Sequence, residues 1–370
     1  MTSLNPGPAG LPTFPRLVPE VALAWRDVST LQVGVDQRLA RILPRVTQRE
    51  YRALRALDGT RSLTRTLDDF EVTGGDRGWL ISALHALVAT GVVVDAATER
   101  ALDLSGAEAA RLSPDTAVIA ATRPGQAHEV LRRRRDALVQ VRGTGRVGVG
   151  VATLLTAAGV GRLRITPIAG DAPRVLPRSI APLGPPASAL GQPARTAARA
   201  AASRAALTDS TGRPAEGSVA ALIIVCPPRV VAPELAEQLA ATGRPHLVVM
   251  SDGPLARVGP LVVPGSTPCL RCLELHRRDR DPTWPLVLTQ VAHQRGPHRS
   301  ATDGVLATLA ASVAALHALA LIDDPTGPAP PSAGGMVELR IPELQWRRRA
   351  WGEHPECGCT WAPDQTPRAA

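Results

Sequence analysis

Apolar positions alternate with polar ones from 29 to 44, "STLQVGVDQRLARILP", with a break at Gly34–Asp36. Period-two alternation around a turn predicts a β-hairpin. The pattern then changes to helical spacing. "TQREYRALRALDG" opens on Thr47 with Glu50 three residues later, a capping-box pattern, and Gly59 is the expected stop. "SLTRTLDDF" predicts a second helix and "RGWLISALHALVATG" a third ending at Gly91, after which "VVVDA" reads as a strand. Residues 14–95 thus form a small α+β module of winged-helix-like pattern, an architecture that serves DNA readers and peptide binders alike.

Residues 96–136 read as a connector with a strand at "DTAVIAA". From Ala137 the chain runs strand, glycine turn, helix and strand, the last being "GRLRIT". An Ala/Pro/Arg-rich stretch follows with one helix near 193–207. "SVAALIIVC", "APELAEQLAATG" and "PHLVVMSDG" then give strand, helix and strand. That alternation predicts an α/β fold, a Rossmann-like, doubly wound, mostly parallel sheet over 137–361. "PLVVPGSTPCLRC", a helix in "ATDGVLATLAASVAALHALALID" and a strand "GMVELRIP" complete it, with 362–370 as a disordered tail. No apolar stretch reads as long enough to cross a bilayer, and the first residues lack a charged-then-apolar signal pattern. A cytoplasmic chain without a membrane partner is expected.

The 370 residues are 44% hydrophobic but 2% aromatic, so the core is built mainly of Ala, Leu and Val. The net charge is +9 and the isoelectric point about 10.8. All 42 basic residues are Arg, which marks a chain-wide replacement rather than one basic face. The runs Arg132–Arg135 and Arg347–Arg349 are either solvated faces or sites for phosphates and acidic peptides.

Gly143, Gly145 and Gly148 stand at G-x-G-x-x-G spacing between a strand and a helix. Glycines there let a phosphate approach backbone N–H groups at a helix N-terminus, and they also serve plain helix–strand packing. Cys269 and Cys272 in "PCLRC", with Cys357 and Cys359 in "PECGCTW", form two close pairs. Such pairs, each on a tight loop, are the means of building a closed zinc site of four cysteines, and Gly358 suits the second loop. A closed thiolate shell staples the fold and leaves no catalytic position. Cys226 ends a strand before Pro227–Pro228 and is either a nucleophile or a buried inert thiol. His246, His276, His293, His298 and His354 lie singly; His276 and His354 are near enough in sequence to the cysteines to donate to a thiolate.

The glycine turn, the order of elements and the cysteine pairs together resemble the ThiF-type adenylyltransferases, the superfamily of ubiquitin-activating enzymes. "GPLVVPGSTPCLRCLELHRRDRDPTWP" and "HPECGCTW" are most similar to the actinobacterial ThiF-like cyclodehydratase or leader-peptide-binding proteins of ribosomal-peptide biosynthesis. The resemblance implies ATP at the glycine turn, an acid after the second strand for the ribose, an Asn/Arg pair and a Lys for phosphates, and an Asp for magnesium. Few of these carry over. Pro167 stands where the ribose acid belongs and Asp171 lies four residues further on. The chain has no Lys, and Asn5 is its one Asn. Arg195 is the substitute nearest the Lys position, Arg178 stands for the Arg, and Asp252 matches no metal position. Arg146 occupies a place where active relatives have a small residue. A degenerate nucleotide site follows.

The resemblance further implies a leader peptide added as a strand to the N-terminal module, a YcaO-type cyclodehydratase as partner, and a homodimer. Leu31, Val33 and Trp79 are the candidate peptide contacts, Trp79 being either an anchor or a core residue. Two alternatives stand beside this reading. One is an active adenylyltransferase that activates the C-terminal carboxylate of a peptide or ubiquitin-like carrier, with Arg in the lysine's role. The other is a winged-helix nucleic-acid binder, disfavoured because the third helix carries few side chains suited to base edges.

Overall fold

A computed structural model describes residues 10–100, 104–206, 217–294 and 303–359. His298 and the tail 362–370 lie outside these residues. The chain divides into two compact units, Met1–Arg132 and Arg133–Ala370.

The first unit opens with β1 (Pro15–Leu17) and a three-stranded antiparallel meander of β2 (Leu23–Trp25), β3 (Leu31–Val33) and β4 (Arg41–Leu43), with β3 in the middle. The expected hairpin is β3–β4; β2 was not legible. Helices α1 (Gln48–Arg55), α2 (Leu63–Val72) and α3 (Arg77–Val88) follow, and β5 (Val93–Asp95) returns to pair antiparallel with β1. The capping box is present: Thr47 Oγ1 accepts from the Arg49 amide at 3.1 Å, and the Glu50 carboxylate accepts from the Thr47 amide at 2.8 Å. α1 stops at Arg55, before the expected Gly59, because an Asx turn intervenes in which Asp58 accepts from the Thr60 amide at 2.8 Å. Leu31, Val33, Leu54, Leu67, Leu80 and Leu84 form the centre of this unit's core.

The segment 96–136 is helical, with α4 (Ala96–Arg100), α5 (Gly106–Thr122) and α6 (Ala127–Asp136). The strand expected at 115–121 is therefore wrong; it is the last part of α5. Leu112, Ile119 and Ala120 are buried at helical spacing while Val118 is exposed, so the apolar run serves a helix face.

The second unit carries β6 (Leu138–Arg142), α7 (Arg146–Ala157), β7 (Arg162–Thr166), α8 (Ala194–Ser203), β8 (Leu222–Val225), α9 (Pro233–Ala241), β9 (His246–Asp252) and β10 (Leu255–Val262). Then come α10 (Leu270–Arg280), α11 (Trp284–Ala292), α12 (Gly304–Asp323), β11 (Gly335–Arg340) and β12 (Gln345–Ala350). They build one seven-stranded sheet in the order β12-β11-β10-β9-β8-β6-β7. Strands β7, β6, β8 and β9 are parallel, while β10, β11 and β12 continue as an antiparallel meander. β11 thus points the same way as the parallel strands, and the sheet is mostly parallel with an antiparallel margin. β12, a fully exposed edge strand, was not anticipated from "QWRRRA".

Side chains of β8 alternate between two layers. Leu222 and Ile224 join α7, α8 and α12 on one face, whereas Ile223 and Val225 join α9 and α10 on the other. Helices on both faces make the fold doubly wound. One expectation fails here: α12 is 20 residues long and apolar enough by composition to cross a membrane. It is half buried in the core instead, with Ala307, Ala310, Ala311, Ala314 and Ala318 fully covered, and small side chains let it lie close on α7.

Candidate functional site

β6 ends at Arg142, and the glycine turn connects it to α7. Gly143 has φ +139°, a conformation that a side chain rarely tolerates, and a Cβ there would sit 2.9 Å from the Cys226 Cβ. A Cβ on Gly148 would lie 2.3 Å from the Gly143 carbonyl oxygen, so this glycine lets the first turn of α7 close onto the loop. Gly145 is the N-cap of α7 and supplies no side-chain cap. The turn therefore has the backbone shape that an anion site uses.

What fills the turn is a carboxylate of the same unit. Asp171 Oδ2 accepts from the Thr144 amide at 2.6 Å, from Thr144 Oγ1 at 2.9 Å and from the Ile168 amide at 3.1 Å. Burial raises the Asp171 pKa above the ordinary carboxylate value, although these three donors pull it down. Sequence distance hid this contact, because Asp171 lies beyond the end of β7 and returns by the turn at 168–171. Arg146, first residue of α7, donates from Nε to the Arg178 carbonyl at 2.7 Å and lies beside Gly304 at the start of α12. Arg178 contributes this backbone oxygen, while its side chain and that of Arg195 on α8 are exposed. Cys226 is buried against Gly143, and burial, followed by the nearby Asp171 charge, holds its pKa far above the usual thiol range. It is a protonated packing group, not an activated nucleophile. Asp252 ends β9 and faces Arg229 at 3.8 Å.

The four cysteines do converge. Cys269 Sγ lies 3.4 Å from Cys357 Sγ and 3.9 Å from Cys272 Sγ, and Cys272 Sγ lies 3.5 Å from Cys359 Sγ. All four sulfurs fall within 4.8 Å of one another. A tetrahedral site with metal–sulfur bonds of about 2.3 Å has sulfurs about 3.8 Å apart, so the cluster has metal-binding dimensions. The first pair is not on a loop, as expected, but at a helix start: Cys269 is the N-cap of α10 and Cys272 sits in its first turn. Free amides and the helix dipole there favour thiolate. Gly358, φ +69°, turns the chain between Cys357 and Cys359 as expected.

Burial and the neighbouring sulfurs raise Cys357, and they bring Cys359 to about 11. Burial also opposes the Cys272 thiolate, yet the His354 amide, 3.4 Å from its sulfur, and other donors lower its pKa. Four thiols this close ionise together only around a cation. His354 is buried and supports the cluster: its Nδ1 accepts from the Glu356 amide at 3.1 Å, which leaves Nε2 as donor to Asp279 at 2.8 Å. Its ring meets that of His276 edge-on at 4.9 Å, and His276 bonds the Gly352 carbonyl. Asp279 was missed because nothing in its spacing links it to residue 354. His246 is buried at the start of β9 and His293 pairs with Glu234 at 3.2 Å. Among the described residues, the cysteines are the one group of three or more side chains placed for a metal.

In the first unit, Leu31 and Val33 are fully buried. Their side chains form core rather than a peptide-contact surface, and β3 is already paired on both sides. Among the described residues the meander's open edges are β2 and β4, which expose Trp25 and Ile42. Trp79 is partly buried against this core and donates its indole N–H to the Pro44 carbonyl at 3.2 Å, fixing it beside the end of β4.

No protein-family model matches the chain, and no curated protein matches it in sequence. The fold does have counterparts among solved structures of low sequence identity. MccB of E. coli, solved with ATP, matches with a TM-score of 0.64 at 14% identity, covering 94% of this chain and 99% of that chain. E. coli MccB solved with AMPCPP and MccA matches at 0.65 and 15%, with the same coverage. The heterocyclase TruD matches at 0.60 and 17%, over 94% of this chain and 43% of that one.

Proposed function

We propose that this chain is a ThiF-like protein of ribosomal-peptide modification whose nucleotide site has become structural. The carrying observation is the Asp171 carboxylate on the Thr144 amide. It takes a donor that a phosphate needs and sets negative charge where another negative group would have to enter. Arg146, in contact with the Arg178 carbonyl, adds bulk to the same turn. The first unit, read as winged-helix-like, would bind a leader peptide as an added strand on β2 or β4, the edges left open by the meander. Two fold neighbours support a peptide ligand: MccB was solved with MccA, and TruD is a heterocyclase. In this reading the protein serves a YcaO-type cyclodehydratase, acts as a homodimer in the cytoplasm, and Cys269, Cys272, Cys357 and Cys359 hold a structural zinc. The metal would lock the start of α10 to the segment after β12 and supply no open coordination position.

A second reading, an active adenylyltransferase, draws on the intact backbone shape of the glycine turn and on the ATP bound by MccB. Calorimetric titration with Mg-ATP of the wild type, Asp171→Asn and Arg146→Gly separates the two. The structural reading expects no binding by the wild type. Micromolar binding by the wild type overturns it and favours the enzyme.

A further inference from the structure

The opposite layer of the second unit holds a cavity of about 1040 Å³ between α9, α10 and α11 and the face of β9–β11. Met250, Leu270, Leu273, Leu288 and Met336 give it apolar walls. Charged groups stand among them. Arg277 pairs with Glu274 at 2.8 Å and lies 5.1 Å over the Trp284 ring, whose indole N–H donates to Glu274 at 2.5 Å. Glu338, buried, accepts from Arg257 at 3.2 Å and from Arg349 at 2.6 Å.

Three guanidinium groups thus share two carboxylates, and both carboxylates are already engaged. Across the described lining as a whole, seven Arg side chains stand with four Asp and Glu side chains, so positive charge is in excess. Burial weakens the protonated form of Arg277; Glu274 opposes this, and the nearby Arg257 charge adds to it. Trp351, also in the lining, has a buried indole nitrogen that finds no acceptor among the described residues. Buried donors ordinarily have partners, and an excess buried cation calls for an anion. The volume is that of a small-molecule pocket at its upper range.

We propose that this cavity binds a carboxylate carried on an apolar body, the carboxylate meeting Arg257, Arg277 and the Trp351 N–H and the body lying on the Met and Leu walls. The source is either a free aliphatic acid or the C-terminal residue of a peptide. The site needs neither nucleotide nor leader peptide, so it stands whatever the Mg-ATP titration returns.

The test is calorimetry on the full-length, zinc-loaded protein with four probes: decanoate, decanol, the peptide Ac-Gly-Ala-Val-Leu with a free C-terminus, and its C-terminal amide. Binding of decanoate but not the peptide acid identifies a free acid as the source; the converse identifies a peptide end. In either case the uncharged counterpart binds at least about tenfold more weakly, as loss of a charge-assisted contact requires. Trp351→Phe and Arg277→Gln each weaken the bound acid by about five- to tenfold, and Ala236→Trp, whose ring intrudes on the cavity from α9, weakens it as well. Circular dichroism melts confirm that each variant is folded. The proposal is overturned by absence of binding of both acids at millimolar concentration, by equal binding of acid and uncharged counterpart, or by a folded Ala236→Trp protein that binds like the wild type.

Discussion

Arg134 and Asp323 meet in a two-pronged ion pair, Nε to Oδ1 and Nη2 to Oδ2, each at 2.7 Å, although they stand 189 residues apart. Each side chain is 7% exposed. Arg134 also donates to the Ala158 carbonyl, and Arg133 reaches the Asp323 carbonyl at 2.6 Å. The pair fastens the end of α12 to the last turn of α6. Removing one partner leaves a buried charge alone, so Asp323→Asn or Arg134→Met is expected to cost about 3–5 kcal/mol. The double change to Met and Leu should cost less than the sum of the single ones. Urea unfolding of the three variants checks this.

The glycines of the turn are expected to differ sharply. Gly148→Ala places a Cβ against backbone and should destabilise by about 1–3 kcal/mol. At Gly145 the nearest atom to an added Cβ is Asp171 Oδ1 at 3.9 Å, ordinary contact, so Gly145→Ala should cost under about 1 kcal/mol. Denaturation midpoints of the two variants give the comparison. Equal losses would show that the turn is not built around the close approach at Gly148.

Metal removal should matter for stability. One zinc per chain is expected by elemental analysis, falling to none in Cys272→Ser. Chelation or that substitution should lower the unfolding midpoint by on the order of 10 °C, since about 1 kcal/mol moves a domain of this size by roughly 2–4 °C. An unchanged melting curve would remove the metal from the account of the fold.

His246 is buried and His317 half-buried, and burial depresses both pKa values below 6.5. Their unfolded forms bind protons more readily than the folded ones. Their contribution to stability is therefore present above pH 6.5 and lost as pH falls through the depressed folded values. His317 keeps its place by a 2.8 Å bond between Nδ1 and Ser332 Oγ. Chemical denaturation across this range should show stability falling with acid, and His317→Gln should flatten part of the slope. A variant with an unchanged slope would exclude His317 as a source.

In the first unit the two faces of the meander should respond differently. Leu31→Ala is expected to cost about 2–5 kcal/mol, whereas Ile42→Ala, on an exposed position of β4, should cost less than about 1 kcal/mol. Urea midpoints again decide, and similar costs would mean that Ile42 has a packing role.

Local chemistry was legible in the sequence. Thr47 and Glu50 announced a cap, Gly143 to Gly148 announced a strand–turn–helix, and two cysteine pairs announced a cluster. Contacts made by folding over long distances were not. Nothing near Asp171 points to the Thr144 amide, and nothing near Arg134 points to Asp323, so a run of arginines that reads as a solvated face is partly used inside the protein. Alternation at Leu31 and Val33 did reveal a strand with one apolar face. It could not say that this face was core and that residues of β2 and β4 were left outside. The apolar run in α5 misled because length and composition there suit a strand as well as the end of a helix.

Among the described residues β12 has no strand on its outer side, yet it carries arginines at 347, 348 and 349. An open edge is a template on which a second molecule can extend the sheet, and like charges brought together there oppose it. Arg349 is neutralised by Glu338 and Arg348 folds back onto the Pro331 carbonyl, which leaves the deterrent mainly to Arg347. Since 1 M salt shortens electrostatic reach to about 3 Å, concentrated salt would disarm this guard, and the protein should keep best in dilute buffer.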